Sequence, residues 1–171
     1  MVSFLPPIMN ESLPSSRVIW LPDTGASSIE APLASTCLAV ARLAASTLLA
    51  NLRTGAYVNI GVGFPEEVCR VIFESGRLGD LTFLVESGVL GGLPAPGLFF
   101  GAALCPERII SSAEVFKLCN EKLDATCLGA LQVDSQGNVN VSKRGPGAQG
   151  YVGPGGFIDL TEAARTIVFV S

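Results

Sequence analysis

Hydrophobic and polar positions sort the middle of the chain into alternating elements. YVNIGVG (residues 57–63) is a short, largely apolar run that opens into a glycine turn, the pattern of a buried strand. LTFLVE (residues 81–86) is a second β-rich run. Between them, Pro65, Glu66 and Glu67 predict the first turn of a helix: Pro lacks an N–H that this turn does not need, and the acids suit the positive end of the helix dipole. Gly76 and Gly79 end that helix. Upstream, LASTCLAVARLAASTLLANL predicts a helix beginning near Pro32, with Gly55 as its stop. Helix, strand, helix, strand is the order of a parallel sheet with crossover helices, so the predicted class is α/β with a mainly parallel open sheet.

The two ends read differently. Residues 1–31 carry Pro6, Pro7, Pro14 and Pro22 among Ser and Thr, and predict an extended arm or linker ahead of a domain over residues 32–171. Residues 87–104 predict a loop with a short strand at its end. Ser112 is placed as the cap of a short helix, AEVFKLCNEKL. ATCLGALQV predicts a strand, Asp134 to Gly137 a turn, and NVNVS the returning strand of a hairpin. RGPGAQGYVGPGG is a second Gly-rich loop. One helical turn at residues 162–165 then precedes the strand TIVFVS.

Composition narrows the chemistry. Of 171 residues, 49% are hydrophobic and 15% charged, which is too apolar for disorder and ample for a core. The net charge of −4 and the lack of a basic tract argue against nucleic acid. No histidine is present, so a Ser-His-Asp triad, a Cys-His pair and histidine zinc sites are excluded within the chain. Cys37, Cys69, Cys105, Cys119 and Cys127 form an odd set without CxxC spacing, which predicts free thiols in a reducing compartment and no metal. The opening MVSFLPPIMNESL has no basic residue before Arg17 and does not match a signal peptide. Residues 87–106 are uncharged, but five Gly and three Pro rule out a regular spanning helix. The apolar character therefore predicts a buried interior and a face for a partner.

Glu86 is the candidate nucleophile. It ends an apolar strand and opens a loop, and ligands of open α/β sheets bind at strand ends. A carboxylate partly desolvated there is more nucleophilic than one in bulk water. The competing reading is a solvated acid at a strand terminus. Three Gly-rich segments, Gly61-Val62-Gly63, Gly91-Gly92 and Gly153-Pro154-Gly155-Gly156, suit either plain turns or backbone N–H groups aimed at an oxyanion. The first lacks the third glycine of a dinucleotide fingerprint, since Glu66 occupies its place, and no Walker loop is present.

VNIGVGFPEEV, VESGVLGGLPAPGLFFGAA, LGALQVDSQGNVNVSKRG and GGFIDLTEAARTIVFV, in this order, resemble the C-terminal (β) half of family I CoA-transferases, closest to the acetate/propionate and 3-oxoacid type. The resemblance runs from about Ala41 to Ser171. It implies that Glu86 attacks an acyl-CoA thioester and passes through a glutamyl-CoA thioester in a ping-pong cycle. It implies Gly155 and Gly156 as oxyanion donors, Gly61 and Gly63 as a second wall of the site, and Gly91 and Gly92 as further CoA-binding positions. Asn59 braces the second wall or satisfies backbone. CoA enters as substrate, with no cofactor and no metal. The expected partner is an α-type half or further copies of the chain, because the family's site lies between two halves. The family's β half ordinarily continues past Val170-Ser171, so a shortened C terminus is expected. The location implied is cytoplasmic, with the mitochondrial matrix as alternative. A non-catalytic acyl-CoA-binding or structural subunit is the competing function, and thioester hydrolysis a third.

Overall fold

The computed structural model describes residues 18–21, 30–143 and 153–170. Its elements begin with β1 (Val18–Leu21), α1 (Glu30–Asn51), β2 (Ala56–Ile60), α2 (Phe64–Glu74) and β3 (Leu81–Val85). Four two-residue strands follow: β4 (Val89–Leu90), β5 (Leu93–Pro94), β6 (Ala103–Leu104) and β7 (Arg108–Ile109). Then come α3 (Ser112–Lys122), β8 (Leu123–Gly129), β9 (Gln132–Val133), β10 (Val139–Asn140), α4 (Phe157–Ala163) and β11 (Thr166–Val170). Seven strands form one sheet in the order β1-β11-β8-β2-β3-β4-β7. Pairing is parallel from β1 through β3 and antiparallel at β4 and β7. This is the mainly parallel α/β architecture expected.

Helices cover both faces, and the strands alternate between them. α1 and α2 enclose one core layer with Val58, Ile60, Phe83, Ala125, Cys127, Val168 and Val170. Ala41, Ala44 and Ala45 are fully buried there, and such small side chains let α1 approach the sheet closely. α3 and α4 enclose the other layer with Leu84, Leu123, Leu128, Ile167 and Phe169. Phe157 of α4 stacks on Phe169 with ring centroids 5.6 Å apart. Leu123 and Ala125 belong to opposite layers although two residues apart. The register explains this: Tyr57 pairs with Leu123 but Val58 with Ala125, so Asp124 is an extra residue in β8. Its carboxylate accepts the Tyr57 N–H at 3.0 Å and pairs with the exposed Arg53 at 3.3 Å.

Several local expectations shift. α1 begins at Glu30, so Pro32 lies inside its first turn, where a missing N–H costs nothing. The cap of α3 is Ser111, not Ser112: Ser111 Oγ accepts the Glu114 N–H at 3.2 Å while the Glu114 carboxylate accepts the Ser111 N–H at 2.8 Å. ATCLGALQV breaks after Gly129, and β9 pairs instead with β10 in a separate hairpin. α4 occupies residues 157–163, earlier than the turn expected at 162–165. The expected arm of residues 1–31 lies outside the described residues apart from β1 and the start of α1, and so does 144–152 of the second Gly-rich loop.

Cys69, Cys119 and Cys127 are buried, and Cys37 and Cys105 exposed. Burial pushes the Cys69 thiol up to about 12. A thiol that reacts only as thiolate is silent there. Titration of the native chain with a thiol reagent is therefore expected to show two fast groups of the five, with the rest released by denaturant. Rapid reaction of a third native thiol would contradict the packing.

Candidate functional site

The connection leaving β2 crosses to β3 through α2 on one face of the sheet. The connection leaving β8 crosses to β11 through α4 on the other. Adjacent strands whose connections depart to opposite faces leave a crevice at their carboxyl ends. A cleft of roughly 710 Å³ lies there. Its floor is made by the ends of four parallel strands: Gly61 after β2, Val85 and Glu86 at β3, Leu128 and Gly129 of β8, and Val170 of β11. Phe100 and Gly101 from the uncharged loop, and Gly153 to Gly155 before α4, form its walls.

Glu86 is half-buried in this cleft, one residue beyond β3. Burial raises its carboxyl above the ordinary glutamate range. The Gly156 N–H, donating to the carboxylate, draws it partly back, and the negative Asp159 adds to the rise. Gly156 has φ −82, which any residue adopts, so its identity is set by space. A Cβ there would lie 2.8 Å from Glu86 Oε2 and 2.7 Å from Phe116 Cζ. Glycine thus lets the backbone donor reach the carboxylate. Ser87 also lines the cleft, its hydroxyl donating to the Gly101 carbonyl at 2.6 Å and pinning the loop.

The other glycines divide. Gly155 approaches Glu86 Oε2, at 4.0 Å from its Cβ direction, and Gly61 lines the cleft. Gly63 sits at the N-cap of α2, its N–H donating to Glu66 Oε1 at 2.6 Å. Gly91 and Gly92 do not line the cleft. They turn the chain between β4 and β5, where a Cβ would strike the Glu107 side chain or the Leu104 carbonyl. Their φ of +70 and +72 suit glycine. Asn59 is fully buried in the sheet beneath: its Oδ1 accepts the Thr126 hydroxyl at 3.0 Å, and its amide reaches the Leu84 carbonyl at 3.5 Å. It ties β8, β2 and β3 together below the cleft.

Sequence reasoning did not find Phe116, Cys119 and Asp159, which stand behind Glu86 on α3 and α4. Cys119 is buried and pushed up to about 11, first by burial and then by the Glu86 charge. Their only trace in the sequence is helical spacing, which says nothing about proximity to a residue far upstream. Among the described residues no group of His, Cys, Asp or Glu is placed to hold a metal ion, and no helix is long and apolar enough to cross a membrane.

No protein-family model matches the chain. Individual relatives do. The chain is 38% identical over 122 residues to caffeate CoA-transferase of Acetobacterium woodii, covering 70% of this chain and 23% of that protein. It is 27% identical over 129 residues to one of the subunits of 3-oxoadipate CoA-transferase from Pseudomonas knackmussii, covering 70% of this chain and 49% of that relative. Among solved structures, the acyl-CoA transferase YdiF of Escherichia coli O157:H7, in its thioester complex with CoA, superposes with a TM-score of 0.62 at 31% identity. That match covers 77% of this chain and 25% of YdiF. The chain thus spans about a quarter of the length of the caffeate enzyme and YdiF.

Proposed function

From a chain that is a relative of the family I CoA-transferases, resembling their C-terminal (β) half in sequence and fold, we propose the transfer of CoA between an acyl-CoA and a carboxylic acid, with Glu86 as nucleophile. The observation that carries this reading is the placement of Glu86: half-buried at a strand end, bonded by a backbone N–H and facing the cleft. In the proposed cycle the Glu86 carboxylate attacks the thioester carbonyl, and CoA leaves as thiolate, giving a mixed anhydride. The thiolate then attacks the Glu86 carbonyl and releases the first carboxylate, leaving a glutamyl-CoA thioester. An incoming carboxylate repeats the two steps in reverse and restores Glu86. The Gly155-Gly156 segment beside Oε2 supplies donors for the oxyanion formed at each attack. CoA is substrate throughout, and the cycle draws on neither metal nor cofactor. A relative solved as a CoA thioester supports it.

The reading includes a complementary α-type half. Leu98, Phe99 and Leu104 are exposed, and Phe100 and Gly101 beside them line the cleft. An apolar rim continuous with a site is the surface expected to bury against a partner, and the 3-oxoadipate relative is itself only one subunit of its enzyme. Mixing the chain with an α-type half is expected to give a complex by sedimentation at micromolar concentration. It is also expected to give parallel double-reciprocal lines for acyl-CoA and acid, the signature of a ping-pong cycle. A stable complex that binds acyl-CoA without turnover would instead identify a non-catalytic acyl-CoA-binding role.

A further inference from the structure

We propose that Phe116 is a positioning residue for Glu86, its ring edge and Oε2 of the carboxylate packing together into the space that Gly156 leaves free. Three groups from three elements converge on one point. The Cβ direction of Gly156 meets Phe116 Cζ at 2.7 Å, Phe116 Cε1 at 2.9 Å and Glu86 Oε2 at 2.8 Å. Glu86 comes from the end of β3, Phe116 from the second turn of α3 and Gly156 from the N-cap of α4. The missing side chain of Gly156 therefore leaves a gap that the ring edge and the carboxylate oxygen fill together.

The consequence is partial desolvation of the carboxylate. Phe116 packs against the α3–α4 core layer and is itself half-buried, so its ring edge sets apolar bulk near Oε2 of the carboxylate. Glu86 also lines the cleft. A carboxylate that loses water and keeps a backbone donor loses rotamer freedom as well. Two titratable groups also face it from the elements behind: Cys119 one turn further along α3, and Asp159 on α4. Neither supplies a positive charge, so the ring and the Gly156 N–H do the holding.

The inference rests on the transfer reading only for what the held carboxylate does, and its test is independent of turnover. In the full chain labelled with ¹⁵N, the Gly156 amide is expected to shift with pH as Glu86 ionises, and Glu86→Gln is expected to abolish that titration. Phe116→Leu keeps apolar bulk on α3 but withdraws the ring edge. It is expected to move the midpoint down toward that of an exposed glutamate and to shrink the amplitude as water competes with the Gly156 N–H. Val115→Ala, a fully buried neighbour on α3, is the control: it is expected to lower the melting temperature and leave the midpoint in place. With an α-type half present, Phe116→Leu is expected to reduce kcat by up to about 100-fold at an unchanged KM for acyl-CoA. A folded Phe116→Leu chain with the wild-type midpoint and amplitude would overturn the proposal, and so would an equal shift in Val115→Ala. Failure of the wild type to form any CoA adduct would count against the transfer reading alone and leave the titration result standing.

Discussion

Glu86→Gln is expected to abolish CoA transfer and to stabilise the chain at neutral and alkaline pH. The loss of transfer follows from chemistry: an amide of the same shape has no oxygen able to displace a thiolate, so the rate is expected to fall roughly 10⁴–10⁶-fold. The gain in stability follows from linkage. Burial raises the Glu86 carboxyl above its ordinary range. Folding therefore favours the protonated form, and its stabilising contribution is full below the ordinary glutamate pKa of about 4.3 and lost as pH rises through the raised one. The neutral amide of the variant carries no such penalty at any pH. Melting temperatures of the two proteins are expected to coincide near pH 3.5 and to separate at pH 8 with the variant higher. The wild-type transfer rate is expected to drop on acidification at a pH above that of an ordinary glutamate. A variant less stable than wild type at pH 8 would contradict the desolvation of Glu86.

Gly156→Ala is expected to separate activity from stability in the opposite sense to an ordinary core change. Its φ of −82 accommodates alanine, and the atoms its Cβ would meet are the far ends of Glu86 and Phe116. Those ends can move, so the stability loss is expected to stay within the overpacking range of about 1–3 kcal/mol. Moving them takes the carboxylate off the Gly156 N–H, and transfer is expected to fall about 100-fold or more. Gly88 provides the contrast. With φ +115 and an added Cβ only 1.9 Å from the Ile110 carbonyl oxygen, it touches backbone that cannot give way. Gly88→Ala is expected to damage the fold itself. Denaturation midpoints measured beside transfer rates check both variants. Equal losses of stability at the two positions would refute the distinction.

The central sheet was legible because its strands are buried on both faces and read as continuous apolar runs. Val58 to Ile60, Leu81 to Val85 and Ile167 to Val170 all announce themselves this way. α2 was legible from Pro65 and its two acids. The stretch from Gly88 to Ile109 was not, since strands of two residues are too short to show a period and are fixed by pairing across the sheet. The cap of α3 was available in principle, because Glu114 stands three residues after Ser111 and not after Ser112. Asp124 left no signal as an extra residue, because a bulge is a property of the pairing partner as much as of the strand. For the site, the strand-end carboxylate was readable from the apolar run before it, whereas Gly155 and Gly156 came from the family resemblance. The sorting of Gly61 and Gly155 to the cleft, of Gly156 to a place beside Glu86 and of Gly91-Gly92 to the turn between β4 and β5 was not readable. It depends on which loops the sheet order brings to the ends of β2 and β8.

The most direct measurement is peptide mapping after brief incubation of the full chain and an α-type half with acyl-CoA. The account predicts a CoA adduct joined through a thioester to the peptide carrying Glu86, cleaved by hydroxylamine and absent from Glu86→Gln. A folded, acyl-CoA-binding complex that turns over substrate with no adduct on Glu86 would contradict it.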